Sequence, residues 1–347
     1  MSNRDGRRRR NQRRAIMAVV IIAALLGTGL VATIGSLNRD LYSAGSFVGQ
    51  YLDALARKDT ASALLLPGVR PTAAELEAAA LPTNLPDTLL RDSVLGELSD
   101  IRLTDDNETA DGRHTVEYAF RLNGSPAAMT FQVESSGTFF GVFDSWRFAT
   151  SPLAVLRVNV LHQATFSVNK LTLDTRAHAA DDAPETFSNQ AAYLAFAPSL
   201  YSLEHTSTLL DAAPQTVPIV ASGVTDVTVD AQPNAGFISQ VQKELNRFLD
   251  DCTTQQVLQP SNCPFGIEIN DRVQDDPIWS IAEYPPVTLV AGDSTFEMPD
   301  TEGQAHIVVE VQSLFDGDVV VRDEDVSFAV AISVTVNPDG SLALQLR

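Results

Sequence analysis

One carboxylate in this sequence lies among aromatic residues at a spacing that suits proton-transfer chemistry. Asp144 alternates with Val142, Trp146 and Phe148, so a β-strand would place all four side chains on one face. A carboxylate buried among aromatic rings has a raised pKa, which is the condition for a general base. Tyr118 on a facing strand would then donate a hydrogen bond to an enolate. A single acid is not a complete catalytic set, so we predict no catalytic residues.

The same strands indicate a ligand-binding interior more strongly than catalysis. Aromatic side chains recur with strand periodicity on both sides of the hairpin signal Asn123-Gly124. An apolar interior with a few polar groups is typical of small-molecule sites. The residues predicted to line it are Tyr118, Phe120, Phe131, Asp144 and Trp146.

Two further motifs match known chemistry only in part. Ser167-Val-Asn-Lys170 has the Ser-x-x-Lys spacing of penicillin-binding enzymes, but it lies in a strand-like run and lacks that family's later elements. Residues 105–111 are spaced like the start of a calcium loop, yet Ala110 and Val116 stand where glycine and glutamate are needed. We therefore predict no metal and no cofactor, and solvated acidic turns at 105–111, 316–318 and 323–325.

The two cysteines, Cys252 and Cys263, follow an amphipathic helix pattern and lie close together in the sequence. A zinc site would need two more soft ligands nearby, and the five histidines lack metal-ligand spacing. In an oxidising compartment such a pair is most simply a disulfide. We predict that bond.

Charge is distributed unevenly along the 347-residue chain. Seven arginines against Asp5 give residues 1–14 a charge of +6, so a net charge of -20 leaves -26 on the rest. Residues 15–37 contain no charge, and a helix of this length spans roughly 34 Å, enough for the ~30 Å core of a bilayer. The basic flank orients such a span with its N-terminus in the cytoplasm.

Two other interpretations of this N-terminal region are weaker. A cleaved signal peptide has a shorter apolar region, of about 7–15 residues, that ends in a small-x-small site. A nucleic-acid-binding arm is unnecessary, because basic residues beside a membrane span are explained by topology and by anionic lipid. We predict an uncleaved, single-pass anchor and no nucleic-acid binding.

The first segment outside the membrane has a helix followed by strands. Apolar residues at Phe47, Val48, Tyr51, Leu52 and Leu55 give the helix one buried face. Alternating strands follow, joined at Asn123-Gly124. This order resembles the nuclear-transport-factor-2-like, or cystatin-like, cone fold, and residues 47–59 are similar to the first helix of its membrane-anchored bacterial members.

The resemblance covers about residues 40–150. It implies a helix on a curved sheet, in a superfamily that serves as scaffolds, small-molecule binders and a few isomerases that use an Asp and a Tyr inside the cone. Lysine is scarce and alanine abundant, as in high-G+C bacterial, for example actinobacterial, coding. The fold alone does not determine the function.

These observations predict an α+β chain in five segments. A cytoplasmic arginine-rich tail (1–14) and a transmembrane helix (15–37) precede a cone-like domain (38–150) and a β-rich module (151–233). A second α+β domain (234–347) follows, in which a helix and then strands repeat the order of residues 43–150, so a second cone-like domain is one alternative for it. We expect a plasma-membrane protein whose extracytoplasmic bulk has a non-enzymatic binding or scaffold role, through an envelope protein partner or self-association. The alternatives are a ligand sensor or carrier using the aromatic interior, and an isomerase-like enzyme with Asp144 as base.

Overall fold

The computed structural model describes residue 33 and residues 36–38, 41–177, 186–337 and 340–347. The fold is α+β with mostly strands and few helices, as predicted. Among the described residues, no helix is both long and apolar enough to cross a membrane. The predicted tail 1–14 and most of the predicted span 15–37 lie outside the described residues.

The helices are α1 (Ala44–Ala56), α2 (Thr60–Leu65), α3 (Ala73–Ala78) and α4 (Ala235–Thr253). The strands are β1 (Leu98–Glu108), β2 (Arg113–Leu122), β3 (Ser125–Phe139), β4 (Phe143–Phe148), β5 (Ala154–Leu161), β6 (Thr165–Val168), β7 (Leu171–Asp174), β8 (Ser188–Ala195), β9 (Ser199–Thr206), β10 (Leu210–Ile219), β11 (Gly223–Asp230), β12 (Gln232–Pro233), β13 (Arg272–Val273), β14 (Ile278–Glu283), β15 (Val290–Ala291), β16 (Phe296–Gln312), β17 (Val319–Val336) and β18 (Leu342–Leu346).

The first sheet is a curled half-barrel of four antiparallel strands in the order β1-β2-β3-β4. Register shifts in β1 and β3 mark bulges, which increase the local twist of a sheet. The helix α1 begins at the cap Ser43, whose side chain accepts a hydrogen bond from the Ser46 amide, and its predicted apolar face is buried. The helix predicted by the apolar spacing is therefore present.

The middle segment forms two sheets and shares a hydrophobic core with the first sheet. Its strands β11 and β5 pair in parallel, and β8 pairs with β5 on the other side. One continuous cluster of buried apolar side chains runs from Ala44 to Val229. The predicted boundary between residues 150 and 151 therefore does not separate two cores. We call residues 41–177 and 186–230 the first unit.

The C-terminal segment contains the second core, in which α4 lies against a sheet built on one long hairpin. The strands β16 and β17 pair along most of their length, and β13, β14, β15 and β18 add to them. The buried cluster includes Leu209, Leu210 and Ala231 in addition to residues of 237–334. We call residues 231–337 and 340–347 the second unit; it keeps the predicted order of a helix followed by strands.

One predicted acidic turn is a strand in the structure, and a second is a strand in part. Asp323, Glu324 and Asp325 belong to β17, where they pair with Val308, Ile307 and His306. The neighbouring valines favour a strand, and this preference outweighs the turn preference of the carboxylates. The strand costs the carboxylates little, because their side chains still reach solvent. Likewise residues 105–108 end β1, and only 109–112 form the turn.

Candidate binding surfaces

The predicted aromatic interior is filled by core side chains. Tyr118, Phe120 and Phe131 are all buried. The Phe131 and Phe148 rings lie 6.2 Å apart, and the Tyr51 ring packs edge-on against Phe148 at 5.4 Å. Aromatic rings at these distances are in packing contact. The space predicted for a ligand is therefore occupied by the protein itself.

Tyr118 joins α1 to the sheet. Its hydroxyl donates a hydrogen bond to the Gly45 carbonyl at 2.9 Å. Desolvation raises the pKa of Tyr118, and the nearby carboxylates Asp53 and Asp106 raise it further. A Cβ atom at Gly49 would lie 2.9 Å from the hydroxyl oxygen, so glycine permits this close approach. The contact explains the tyrosine as a structural residue.

The structure does not bring Asp144 and Tyr118 together. Along β3, Tyr118 lies opposite Met129 and Asp144 lies opposite Thr138. Nine residues separate those two positions, which is about 30 Å of strand at about 3.4 Å per residue. Asp144 is only half-buried, and its amide donates to the Asn38 side-chain oxygen at 3.4 Å. The pair predicted for enolate chemistry is not assembled.

Trp146 fastens the β3–β4 hairpin to the chain segment before α1. Its indole N–H donates to the Tyr42 carbonyl at 2.7 Å. The ring packs edge-on against His114 at 4.8 Å, and His114 Nδ1 lies 2.7 Å from Asp106 Oδ1. Trp146 is thus a partly buried residue that packs against the first core and links the hairpin to the segment before α1.

The predicted disulfide is present and supports the second core. Cys252 and Cys263 are bonded, with 5.9 Å between their Cα atoms. The loop that they close reaches Trp279, whose indole N–H donates to the Val257 carbonyl at 2.8 Å. Trp279 also packs on Phe265 at 5.1 Å. The disulfide therefore helps to position the Val257 carbonyl that accepts the hydrogen bond from Trp279, at one side of the second core.

A cavity of about 490 Å³ lies between the two cores, with His162, Gln163 and Asn189 among its lining residues. Polar side chains of this lining contact neighbouring protein groups. His162 Nδ1 lies 3.1 Å from the Ala231 carbonyl, and the Asn189 amide donates to the carbonyls of Gln163 and Thr186. Such contacts explain the polar lining as part of the joint between the two units.

The outer edge of β17 is the longest strand edge left open among the described residues. The strand β18 covers β17 only from Ile332 to Val336, and no described strand pairs with that edge at residues 319–330. Open strand edges present unpaired backbone donors and acceptors. Val320 is 53% exposed, and its neighbours Val319 and Val321 are exposed as well. We call residues 319–330 the free edge.

The turn that leads into the free edge is also apolar. Phe315 is 98% exposed and Leu314 is also largely exposed at the end of the β16–β17 hairpin. A hydrogen bond from the Ser313 side chain lowers the pKa of Asp316 within that turn. Sequence reasoning assigned this region to acidic turns and missed the surface. The run of three β-branched valines at 319–321 was the available signal.

Comparison of the chain with known protein families, with curated proteins and with solved structures finds no match.

Proposed function

We propose that this protein is a single-pass, N-terminally anchored protein of the bacterial envelope that binds another envelope protein through the free edge of β17. The observation that carries the binding role is the combination of an open strand edge with exposed valines along it. An extended segment of a partner can add to such an edge as a further strand, with main-chain hydrogen bonds giving affinity. The role is one of binding or scaffolding.

The charge around the free edge specifies the kind of partner segment. Residues 316–325 contain five carboxylates and one arginine. An added strand that carries basic side chains beside apolar ones would pair with them favourably, since opposite charges stabilise cross-strand neighbours. In a symmetric pairing with a second copy, the carboxylates of 323–325 would face one another or face valines. Both arrangements are unfavourable, so we infer a basic, extended partner segment.

The anchoring itself is supported by the sequence and by the connection that follows it. Residues 15–37 are uncharged, and seven arginines precede them. The Leu41 amide donates to the Leu37 carbonyl at 2.8 Å, so the first unit begins directly after this run. The disulfide is consistent with an oxidising, extracytoplasmic location for the second unit.

The binding role is tested on the full chain reconstituted in phospholipid nanodiscs. The probes are two labelled synthetic peptides of about ten residues, one alternating valine with lysine and one alternating valine with glutamate. We expect the lysine peptide to bind more tightly, measured by fluorescence anisotropy. The substitution Val320→Lys should weaken that binding at least about tenfold, because it adds a like charge and removes an apolar contact.

The matched control is Ile278→Lys, a similarly exposed apolar residue at 64% on β14 of the same sheet. It should leave peptide affinity unchanged. A photo-crosslinking side chain at position 320, compared with one at position 278, then reports contact with envelope proteins in cells. Equal affinity for both peptides, or equal losses for both substitutions, would contradict the proposed site.

The anchor is tested separately by topology. Protease added outside intact spheroplasts should digest the chain after residue 38 and leave a tag placed before residue 1 protected. The protein should also stay with membranes in alkaline carbonate. Release by carbonate, or a mature N-terminus beyond residue 37, would show that the apolar run is not a permanent anchor.

A further inference from the structure

A second apolar hairpin end lies in the first unit, where β3 turns into β4. Phe140 is 81% exposed and Phe139 is 55% exposed, with their ring centroids 4.3 Å apart. Val142 and Leu41 are also exposed, and Asn38 and Tyr42, which lie on either side of Leu41 in the sequence, contact this hairpin. Clustered exposed apolar side chains of this kind mark a contact with a membrane or another molecule. We call residues 139–142 the β3–β4 tip.

The β3–β4 tip is fastened to the residues that directly follow the proposed anchor. The Asn38 side-chain amide donates to the Val142 carbonyl at 2.9 Å. Tyr42 stacks on Phe143 with 4.6 Å between ring centroids, and Trp146 donates to the Tyr42 carbonyl. Residue 38 is the first residue after the apolar run 15–37. These contacts hold the β3–β4 tip at the point where the chain would leave the bilayer.

The charge around the β3–β4 tip suits a lipid surface. Between residues 135 and 145 the only charged side chain is Asp144. The acidic β1–β2 turn is set back, because β3 continues through residues 135–139 beyond its last pair with β2 at Glu134. A segment with exposed phenylalanines and few carboxylates can enter the interfacial layer without desolvating charge.

The turn chemistry also indicates that Phe140 is present for a reason other than folding. Phe140 and Gly141 have φ of 51° and 71°, and the Val142 amide donates to the Phe139 carbonyl at 3.3 Å. The β2–β3 turn has positive φ at the same two places, 45° and 83°, but uses Asn123 and Gly124. Asparagine is favoured at this position, whereas a bulky residue is disfavoured.

We propose that the β3–β4 tip, together with Leu41, lies in the interfacial layer of the bilayer that holds the anchor. The occupant of this surface is lipid. The inference rests on the proposed anchoring, which would place residue 38 at the membrane surface. Two attachments, the anchor and the β3–β4 tip, would fix the orientation of the first unit on the membrane, since a single flexible attachment would leave it free to rotate.

The test uses the full chain in vesicles of phosphatidylglycerol and phosphatidylethanolamine, with and without bromine on the acyl chains. The substitution Phe140→Trp places an indole on the β3–β4 tip, and Phe315→Trp places one on the other hairpin end as the matched control. The native Trp146 and Trp279 are common to all proteins, so their quenching is subtracted. We expect the indole at position 140 to lose roughly half its emission, because interfacial side chains lie about 5–10 Å into the headgroup boundary.

The indole at position 315 should be unaffected by bromine. Flotation of the vesicles in alkaline carbonate separates the two ways of failing. If the chain does not float, the anchoring is wrong and the inference falls with it. If the chain floats but the indole at position 140 is unquenched, the anchor stands and the lipid contact is wrong. Emission at position 140 that changes only with the protein-to-lipid ratio would assign the surface to a second copy.

A second variant excludes a folding artefact. Phe140→Asn keeps the turn geometry and removes the ring, so the melting temperature should not fall. In the wild-type protein, hydrogen exchange at residues 139–143 should be slower in the presence of lipid than in its absence. In Phe140→Asn, lipid should no longer slow this exchange. Equal protection in both proteins would overturn the proposal.

Discussion

Two hairpin ends of this protein expose phenylalanine, and they differ in the charges that surround the ring and in what the hairpin is attached to. The β3–β4 tip has one carboxylate nearby and is fastened to Asn38. The β16–β17 end has carboxylates at Asp316 and Asp318 and continues into the free edge. Exposure of apolar side chains is thus the same signal in two places. The surrounding charge and the attachment of each hairpin decide which kind of partner fits.

The difference also concerns what lies behind each hairpin. The β3–β4 hairpin rests on a core shared by α1, the curled sheet and the parallel pair β5 and β11. The β16–β17 hairpin itself contributes many of the buried side chains of the second core, and a disulfide closes a loop beside that core. A lipid contact near an anchor needs a rigid base, whereas an open edge needs only accessible backbone.

The largest expected effect is the loss of the Phe131 ring from the first core. Phe131→Ala should lower the free energy of unfolding of the first unit by about 3–5 kcal/mol, because it removes a buried ring and leaves a cavity. Trp146 reports the first unit in a Trp279→Phe background, and Trp279 reports the second in a Trp146→Phe background. Urea unfolding followed by each indole measures the two units separately.

Because the buried side chains of β5 and β11 belong to the same core as Phe131, Phe131→Ala should also speed hydrogen exchange in these two strands. The transition reported by Trp279 should not move. If β5 and β11 kept their protection while the curled sheet lost it, the predicted domain boundary near residue 150 would be supported. A matched control is Phe139→Ala, which truncates an exposed ring of the same type and should cost far less.

Removal of the disulfide should be the next largest effect, and it should act on the second unit. Replacing Cys252 and Cys263 by serine should destabilise that unit by roughly 3 kcal/mol, the value expected in the chain-entropy model for a short loop. The Trp279 transition should shift to lower urea, since the Val257 carbonyl that accepts from Trp279 lies in this loop. Ser261→Ala in the same loop serves as the control. An equal shift of the Trp146 transition would contradict two separate cores.

A smaller effect is expected from exchanging the residue types of the two positive-φ turns. Asn123→Phe should cost roughly 1–2 kcal/mol, because it puts a bulky residue at positive φ and removes the acceptor of the Glu97 amide hydrogen bond. Phe140→Asn should cost nothing. Both are measured by urea unfolding with Trp146. Similar losses for the two changes would mean that Phe140 serves the fold, and the contrast between the hairpin ends would fail.

Local patterns in the sequence were sufficient for part of this fold. The spacing of Phe47, Tyr51 and Leu55 predicted α1 and its buried face, Asn123-Gly124 predicted the hairpin, and the proximity of the cysteines predicted their bond. Each of these signals lies within a few residues of the feature that it predicts. The anchor and the envelope location rest on equally local signals and remain predictions.

Features that depend on distant residues were not predictable in the same way. The parallel pairing of β5 with β11 joins residues about 70 positions apart, so the shared core could not be inferred from periodicity. Alternation placed Tyr118, Phe131 and Phe148 on inward faces correctly, but it could not show that they fill the interior. The free edge is defined by where β18 ends, which no local pattern reports.

The smallest expected effect is a loss of stability of the first unit at acidic pH, which distinguishes it from the second unit. His205 in β9 is buried, and its Nδ1 lies 2.9 Å from the Thr165 carbonyl. Burial lowers the pKa of His205 below its usual value near 6.5, against the opposing effects of that hydrogen bond and of Asp211. Between the lowered pKa and about 6.5 the unfolded chain binds a proton that the folded one does not, so stability falls as pH falls through this window. Above the window the full stability is present, and below it the loss levels off.

Urea unfolding of the first unit from about pH 8 to about pH 5, followed by Trp146, measures this loss. His205→Asn keeps an amide donor near the position of Nδ1 and removes the titration, so its stability should depend less on pH over that range. The control is His306→Asn, at a half-buried histidine of the second unit whose ring lies within ion-pair distance of Asp323 and Asp325. It should leave the Trp146 profile unchanged. An identical pH profile for the wild type and His205→Asn would show that the acid response of the first unit arises elsewhere.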